Sequence, residues 1–190
     1  MAIKTTDTKT AILSIAKELM KQVGYNAFSY ADIAKQLDIK NAAIHYHFPA
    51  KEDLLSGVID TYIDDYILLE KQLRLSGLTP TKKLKKFIER YAQLIQQKNI
   101  CIIGSVASDY NTLPSSIKEK VAGLVKMVLN MVEKTLQDGK TSGEFKFAET
   151  PKIKSLLIMT NLAAGVQLAR ITGPADFKII EDVIQLQLKG

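Results

Sequence analysis

Between Ser29 and Leu55 the chain reads SYADIAKQLDIKNAAIHYHFPAKEDLL, and this run leaves the backbone few options. Ser29 can cap the amides of a helix start, Asp32 can reach back to it, and Phe28 can staple onto Ile33. A helix begun in this way runs to about Leu37 and must turn at Asp38, because aspartate tolerates the left-handed conformation better than most residues that carry a Cβ. Ile39 is placed to plug the angle to a further short helix from Lys40 or Asn41, which bears Ile44 and Phe48 on one face and is stopped by Pro49. Ala42, Ala43, His45, Tyr46 and His47 are left on or near its outer surface. Two short helices about a tight turn have the layout of a helix-turn-helix, which lays its second helix in the major groove of DNA.

Ahead of this run, Ile12, Ile15, Ala16, Leu19 and Val23 recur at helical spacing from Thr8 to Val23, and Gly24 follows where a left-handed cap residue belongs. Beyond Lys51 the short helices give way to long ones. Leu55, Val58, Tyr62 and Leu69 mark a helix to about Leu75, ended by Ser76 and Gly77. Leu84, Phe87, Ile88 and Ile95 mark the next, with Thr79 or Thr81 at its cap and Lys82, Lys83, Lys85 and Lys86 as a solvated basic face. A short helix is expected from about Ile103 to Tyr110. Ser116 with Glu119 resembles a capping box for a long helix through Val121, Leu124, Val128, Val132 and Leu136, which Gly139 ends. The segment Lys140 to Glu149 reads as a loop in which EFKF can be briefly extended. Thr150 and Pro151 open a helix to about Ile171, Gly173 and Pro174 break it, and Phe177, Ile180, Val183 and Ile184 mark the last. The expected fold is all-α with about nine helices. A helix-turn-helix domain is expected over residues 1–50 and a larger helical domain over residues 51–190.

Composition narrows the function. With 190 residues, of which 46% are hydrophobic, the chain can bury a sizeable core. The most apolar runs, Cys101 to Ala107 and Leu156 to Leu168, are short or interrupted by Ser105, Thr160, Asn161 and Gln167, so no membrane span is expected. The opening MAIKTTDTK has no apolar core of a signal peptide, and a cytoplasmic location follows. The single cysteine fits a reducing compartment. A net charge of +6 is compatible with a polyanion partner but does not identify one. No nucleophile–base pair, metal cluster or phosphate loop stands out, so neither an enzyme nor a cofactor is expected. His45 and His47, two apart on a helix, point to different sides and make poor joint metal ligands.

The stretch from Thr10 to Tyr62 resembles the N-terminal DNA-binding domain of the TetR family of transcriptional regulators. The similarity is carried by Gly24 and Tyr25 after the first helix, by Asp32-Ile33-Ala34 in the second, and by the Tyr46-His47-Phe48-x-x-Lys51-x-x-Leu54 ending. The Ile100 to Asp109 stretch, ICIIGSVASD, also looks like the Cys-x-x-Gly junction of one group of these regulators. The resemblance implies a homodimer on double-stranded DNA, with phosphate contacts at Ser29, Tyr30, Tyr46, His47 and Lys51. Base edges would be read from Lys40, Asn41, Ala42, Ala43 and His45, with Asn41 able to address adenine and the alanines a thymine methyl. Two positions depart from the family pattern. Lys40 stands where serine is common, which leaves Asn41 as a substitute cap, and His45 stands where tyrosine is usual.

In the larger domain Phe87, Tyr91, Tyr110, Met127, Met131 and Met159 are candidates to line the pocket of a small-molecule effector. Asn161, Gln167 and Arg170 would be its polar anchors. Cys101 between Ile100 and Ile102 reads first as a small buried hydrophobe, and second as a thiol sensor of oxidants or electrophiles. Leu156, Leu157, Ile158, Leu162, Val166 and Leu168 cannot all face one core, so a second buried face implies a partner, and the resemblance implies that the last two long helices pair with those of a second copy. The reading that follows is a ligand-responsive repressor on a palindromic operator. Its alternatives are a redox repressor acting through Cys101, or a dimeric helical interaction protein without DNA binding.

Overall fold

The computed structural model describes residues 5–189, so the opening residues 1–4, part of the leader reading, lie outside it. Nine α-helices follow one another among the described residues: α1 Thr5–Gln22, α2 Tyr30–Leu37, α3 Asn41–His47, α4 Lys51–Leu75, α5 Pro80–Gln96, α6 Ile102–Ala107, α7 Ser115–Thr141, α8 Pro151–Thr172 and α9 Pro174–Leu186. Single 3-10 turns at Tyr25–Ala27 and Tyr110–Thr112 fill two of the connections. The all-α architecture agrees with the periodicity, and EFKF forms no strand.

Local chemistry sets most of the ends. Asp32 takes both the amide and the hydroxyl of Ser29, each at 2.7 Å, which fixes the start of α2. Asp38 ends that helix at φ 53°, ψ 46°. Thr79 and Thr150 cap α5 and α8 through their hydroxyls, each followed by a proline at the first helical position. Two expected ends move. The start of α7 is set by the Pro114 carbonyl, which accepts from Ile117 and Lys118 at 3.0 Å each, and not by Ser116 and Glu119. Gly139 does not end α7, which runs on to Thr141. Its missing Cβ makes room for Phe145, whose ring would lie 2.1 Å from that atom, and the left-handed turn falls to Gly143 at φ 77°.

The helices enclose one continuous apolar core. Around Ile12, Ala16, Met20, Ile33 and Ile44 it joins α1, α2 and α3, and Leu54, Leu55 and Val58 carry it along α4. Truncating one of these fully buried aliphatic side chains to alanine costs about 2–5 kcal/mol. Leu84, Ile88, Leu124, Val128, Ile158 and Leu162 continue the core through α5, α7 and α8. Because α4 begins at Lys51 and belongs to both halves, no linker separates them. Lys17 to Asp65 and Lys120 to Asp60 tie α1 and α7 to its flanks.

The membrane reading is corrected for one element. By length and composition alone α8 is long and apolar enough to cross a membrane. Its inner side nevertheless packs on α5, α7 and α9 and buries Lys154 and Ser155, as a core helix does.

Candidate nucleic-acid interface and effector clefts

Helix α3 turns Ile44 fully inward, while Asn41, Ala42, His45 and Tyr46 form one exposed face beside Lys40. Ala43 and His47 sit half-buried at its edges. Tyr46 is 76% exposed, the state of an aromatic waiting for a partner rather than of a core residue. His45 rests edge-on against Tyr30, with ring centroids 4.7 Å apart, and its Nδ1 lies 3.4 Å from the Pro49 carbonyl. A carbonyl only accepts, so in that contact Nδ1 is the donor.

Internal bonds hold this face in place. The Tyr30 hydroxyl is shared between the carbonyls of Phe48 at 2.8 Å and Ala50 at 2.7 Å, which clips the start of α2 to the α3–α4 turn. Burial, then the charges of Asp53 and Glu52, push its pKa from 10.0 up to about 12. The Lys51 ammonium donates to the Phe28 carbonyl at 2.6 Å and lies over the rings of Phe28 and Tyr25, 4.6 and 5.0 Å from their centroids. Its pKa is lowered by burial. The Tyr30 hydroxyl is thus held inside the domain and the Ser29 hydroxyl by Asp32, while half-buried Lys51 gives one of its three N–H donors to Phe28. Of the five side chains expected on phosphates, Tyr46 alone combines full exposure with an uncommitted hydroxyl. Helices α2 and α4 begin on either side of α3 in the chain, and the first amides of a helix lack an intrahelical acceptor.

A second open surface is apolar. Ile153, Leu157, Leu168 and Ile171 of α8 are exposed along one stripe, and Ile179, Val183 and Leu186 continue it on α9. The two helices close tightly behind this stripe at Gly165, where a Cβ would meet Ile180 at 2.8 Å and Phe177 at 3.1 Å. Of the six residues judged too many for one core, Leu156, Leu157 and Leu168 are exposed, while Ile158, Leu162 and Val166 are buried.

Two clefts open in the larger part. One of about 800 Å³ lies between α6, α7 and α8, with Ile103, Val121, Val125, Leu129 and Leu156 as apolar lining and Lys126, Lys152 and Glu133 among its charged groups. The other, about 400 Å³, lies between α1, α4 and α5 and is lined by Tyr62, Tyr66, Arg90, Tyr91 and Cys101. Helix α6 stands between them. Ile103 and Ala107 face the larger cleft, while the amide of Ile100 just before α6 donates to the Lys21 carbonyl at 2.6 Å and the Ser105 hydroxyl to that of Met20 at 3.5 Å.

The family comparisons agree with this layout at both ends. Residues 12–58 match the model of bacterial regulatory proteins of the tetR family, and residues 80–177, more than half of the chain, match that of the tetracyclin repressor-like C-terminal domain. The chain belongs to the TetR family of transcriptional regulators.

Among TetR-family relatives, the fatty acid metabolism regulator protein of Bacillus subtilis is 25% identical over 136 residues, covering 71% of this chain and 69% of that protein. The regulator QacR of Staphylococcus aureus is 26% identical over 142 residues, 72% of this chain and 73% of its own. A TetR regulator from Legionella pneumophila superposes with a TM-score of 0.85 at 31% identity, over 96% of this chain and 97% of that one. One from Agrobacterium tumefaciens reaches 0.91 at 25% identity, over 98% and 100%.

Against this family background, the pocket residues read from the sequence are dispersed. Tyr110 lines the larger cleft, and Tyr91 and Cys101 line the smaller. Phe87 and Met159 are buried against Tyr91, by a tilted ring contact at 5.5 Å and a 4.0 Å hydroxyl–sulfur contact. Met131 is buried in α7, Met127 is half-buried, and Asn161 and Arg170 are exposed on α8. Gln167 reaches towards Gly104 of α6. The structure adds Val125, Leu129, Lys126 and Lys152. A signal for them existed in α7, where Val125 and Leu129 are apolar yet fall beside the core stripe of Val121, Leu124, Val128 and Val132. Cys101 is 5% exposed, and burial pushes its thiol pKa above the ordinary value, which disfavours the thiolate that reacts.

Proposed function

We propose that this TetR-family chain is a repressor that binds a two-fold-symmetric operator as a homodimer and leaves it when a small-molecule effector occupies the larger domain. The observation that carries this reading is the pair of open faces. One is the exposed polar and aromatic face of α3 held between two helix starts. The other is the apolar stripe of α8 and α9, which a second copy would cover. In that dimer Lys40, Asn41, Ala42 and His45 read base edges, with Ala43 nearer the edge of the contact. Tyr46, His47, Ser29 and the first-turn amides of α2 and α4 position phosphates, and Tyr30 and Lys51 hold the geometry from inside. The two α3 helices are spaced at roughly 34–36 Å, or a multiple of it.

The effector acts through α6. A ligand in the α6–α8 cleft presses on Ile103 and Ala107, and the opposite side of α6 grips the end of α1, so a shift there tilts α1 with α4. Ligand and operator then oppose each other by the same factor in both directions.

Selecting bound fragments from random duplex DNA tests the proposal. Wild-type protein should enrich inverted repeats and bind them with a steep salt dependence, and Tyr46→Ala should bind the enriched repeats about 10- to 100-fold more weakly while melting normally. A wild-type protein that enriches nothing would contradict the repressor and favour the interaction protein.

A further inference from the structure

The smaller cleft is walled by phenols that lack acceptors. Tyr62 and Tyr66 of α4 are each 9% exposed and Tyr91 of α5 is 2% exposed, and all three line it beside Cys101. A buried tyrosine hydroxyl ordinarily donates to a protein acceptor, as Tyr30 does to Phe48 and Ala50. Tyr91 has only the Met159 sulfur at 4.0 Å, and the hydroxyls of Tyr62 and Tyr66 donate to no acceptor among the described residues. Neither oxygen is sealed off, because the one enclosed side-chain oxygen without a partner among those residues is that of Asn99. Both hydroxyls therefore open onto the cleft. Burial raises the pKa of each, so at neutral pH both remain protonated donors. The Arg90 guanidinium lies 5.2 Å from the centroid of the Tyr66 ring and reaches towards the Tyr66 oxygen, as the Tyr91 hydroxyl does. The charges of the lining are otherwise balanced: Lys17 holds Asp65 at 2.5 Å and Lys21 holds Glu18 at 2.6 Å. Half-buried Arg90 has no ion pair among the described residues, so the uncompensated positive charge sits beside the unpartnered phenols.

We propose that this cleft is a second ligand site, taking a compact organic carboxylate whose oxygens accept from Tyr62, Tyr66 and Arg90. It is separate from the α6–α8 cleft and does not depend on the effector reading given to that one. A carboxylate brings two acceptor oxygens and the single negative charge that Arg90 lacks. A neutral amide brings one acceptor and adds donors to a wall of donors. A cation would meet Arg90 and find both carboxylates already engaged, and a phosphate dianion carries more charge than the lining balances. Leu94, Ile102 and the tyrosine rings offer surface for an apolar body, and about 400 Å³ accommodates one of mono- or bicyclic size. Ser14, Lys17 and Lys21 form the α1 side of the cleft, so the ligand would lie between α1 and the α4–α5 pair.

Calorimetric titration of the full chain with 2-naphthoate, 2-naphthamide, 2-naphthyl phosphate and 2-naphthylmethylammonium tests the proposal. One naphthoate should bind per chain, with the amide and the phosphate about tenfold or more weaker and the ammonium weakest. Tyr62→Phe should weaken naphthoate about tenfold without lowering the melting temperature, because the hydroxyl it removes has no protein partner. Arg90→Gln should weaken naphthoate about tenfold or more and the amide by less. Val125→Trp, which fills the α6–α8 cleft, should leave naphthoate binding unchanged. Amide or phosphate binding as tight as that of the acid would overturn the carboxylate. A Tyr62→Phe protein that melts lower and binds naphthoate as before would make the hydroxyl a structural group and overturn the site. Loss of binding in Val125→Trp would move the ligand to the larger cleft, and no binding by the parent would leave the phenols to water. Each of those results also overturns the proposal. Operator binding measured without naphthoate tests the repressor alone, and naphthoate binding measured without operator tests this site alone.

Discussion

The outer face of α3 and the stripe on α8 and α9 are both left open, but they are finished in different ways. On α3 the exposed groups are an asparagine, a histidine, a tyrosine and a lysine, mounted on a frame whose polar atoms are already satisfied by Asp32, Tyr30 and Lys51. On α8 and α9 the exposed groups are leucine, isoleucine and valine, with Ile171 at 85% exposure. A polar face on a stiff frame can exchange water for a charged partner and return unchanged. An apolar stripe gains by being covered and staying covered. In the proposed repressor, reversible recognition and lasting assembly would thus have different surface chemistry in one small chain.

The largest effect should come from charging the stripe. Leu157→Glu would bury a carboxylate without a partner in the proposed dimer, at a cost of about 3–5 kcal/mol, so sedimentation should find dimerisation weakened more than 100-fold. Operator binding should fall with it, although α3 is untouched. Unchanged association would mean that the stripe is not where copies meet.

Next comes the polar face. Tyr46→Ala should weaken operator binding about 10- to 100-fold, the loss of one charge-assisted contact, with no change in melting temperature. His45→Tyr should alter which operators are preferred by about tenfold at one base position, as competition between selected duplexes would reveal.

The frame should matter less to DNA than to stability. Tyr30→Phe leaves two carbonyls without their donor and should lower stability by about 1–2 kcal/mol in thermal or urea unfolding. It should also change the alkaline limb. Because the pKa values of Tyr30 and Tyr25 rise to about 12 on folding, the stability they contribute is complete below pH 10 and is lost as the pH climbs through about 12. Tyr30→Phe should flatten that loss. Lys51, lowered by burial, works in the opposite sense just below pH 10.5, where its proton is released more readily in the folded state. The smallest effect is expected at the thiol: Cys101→Ser should leave operator release by oxidants and electrophiles as it is in the parent, which a DNA-binding titration in their presence would check.

What the sequence disclosed followed the range of the forces involved. Ser29 with Asp32, Asp38, and Thr150 with Pro151 act within four residues, and each was legible, whereas the cap of α5 stayed open between Thr79 and Thr81 until the structure gave it to Thr79. Gly139 was misread as a stop because its purpose is a ring six residues later that folds back on it. The inward turn of Tyr30 and Lys51 depends on the carbonyls of Phe28, Phe48 and Ala50 arriving from other segments, so residue type suggested phosphate donors where geometry made fasteners. The larger cleft needed α6 and α8 to be set beside α7, which no periodicity in one helix encodes. The exposed residues of α3 and the surplus of apolar residues in α8 were readable, since both are properties of single helices.

The most direct measurement is the mass of the protein–DNA complex formed on a selected operator, by sedimentation or light scattering, for the parent and for Leu157→Glu. Two chains per half-site pair in the parent, with the duplex two-fold symmetric and the complex lost in the variant, is the expected result. One chain bound to an asymmetric site, equally tightly in both proteins, would contradict it.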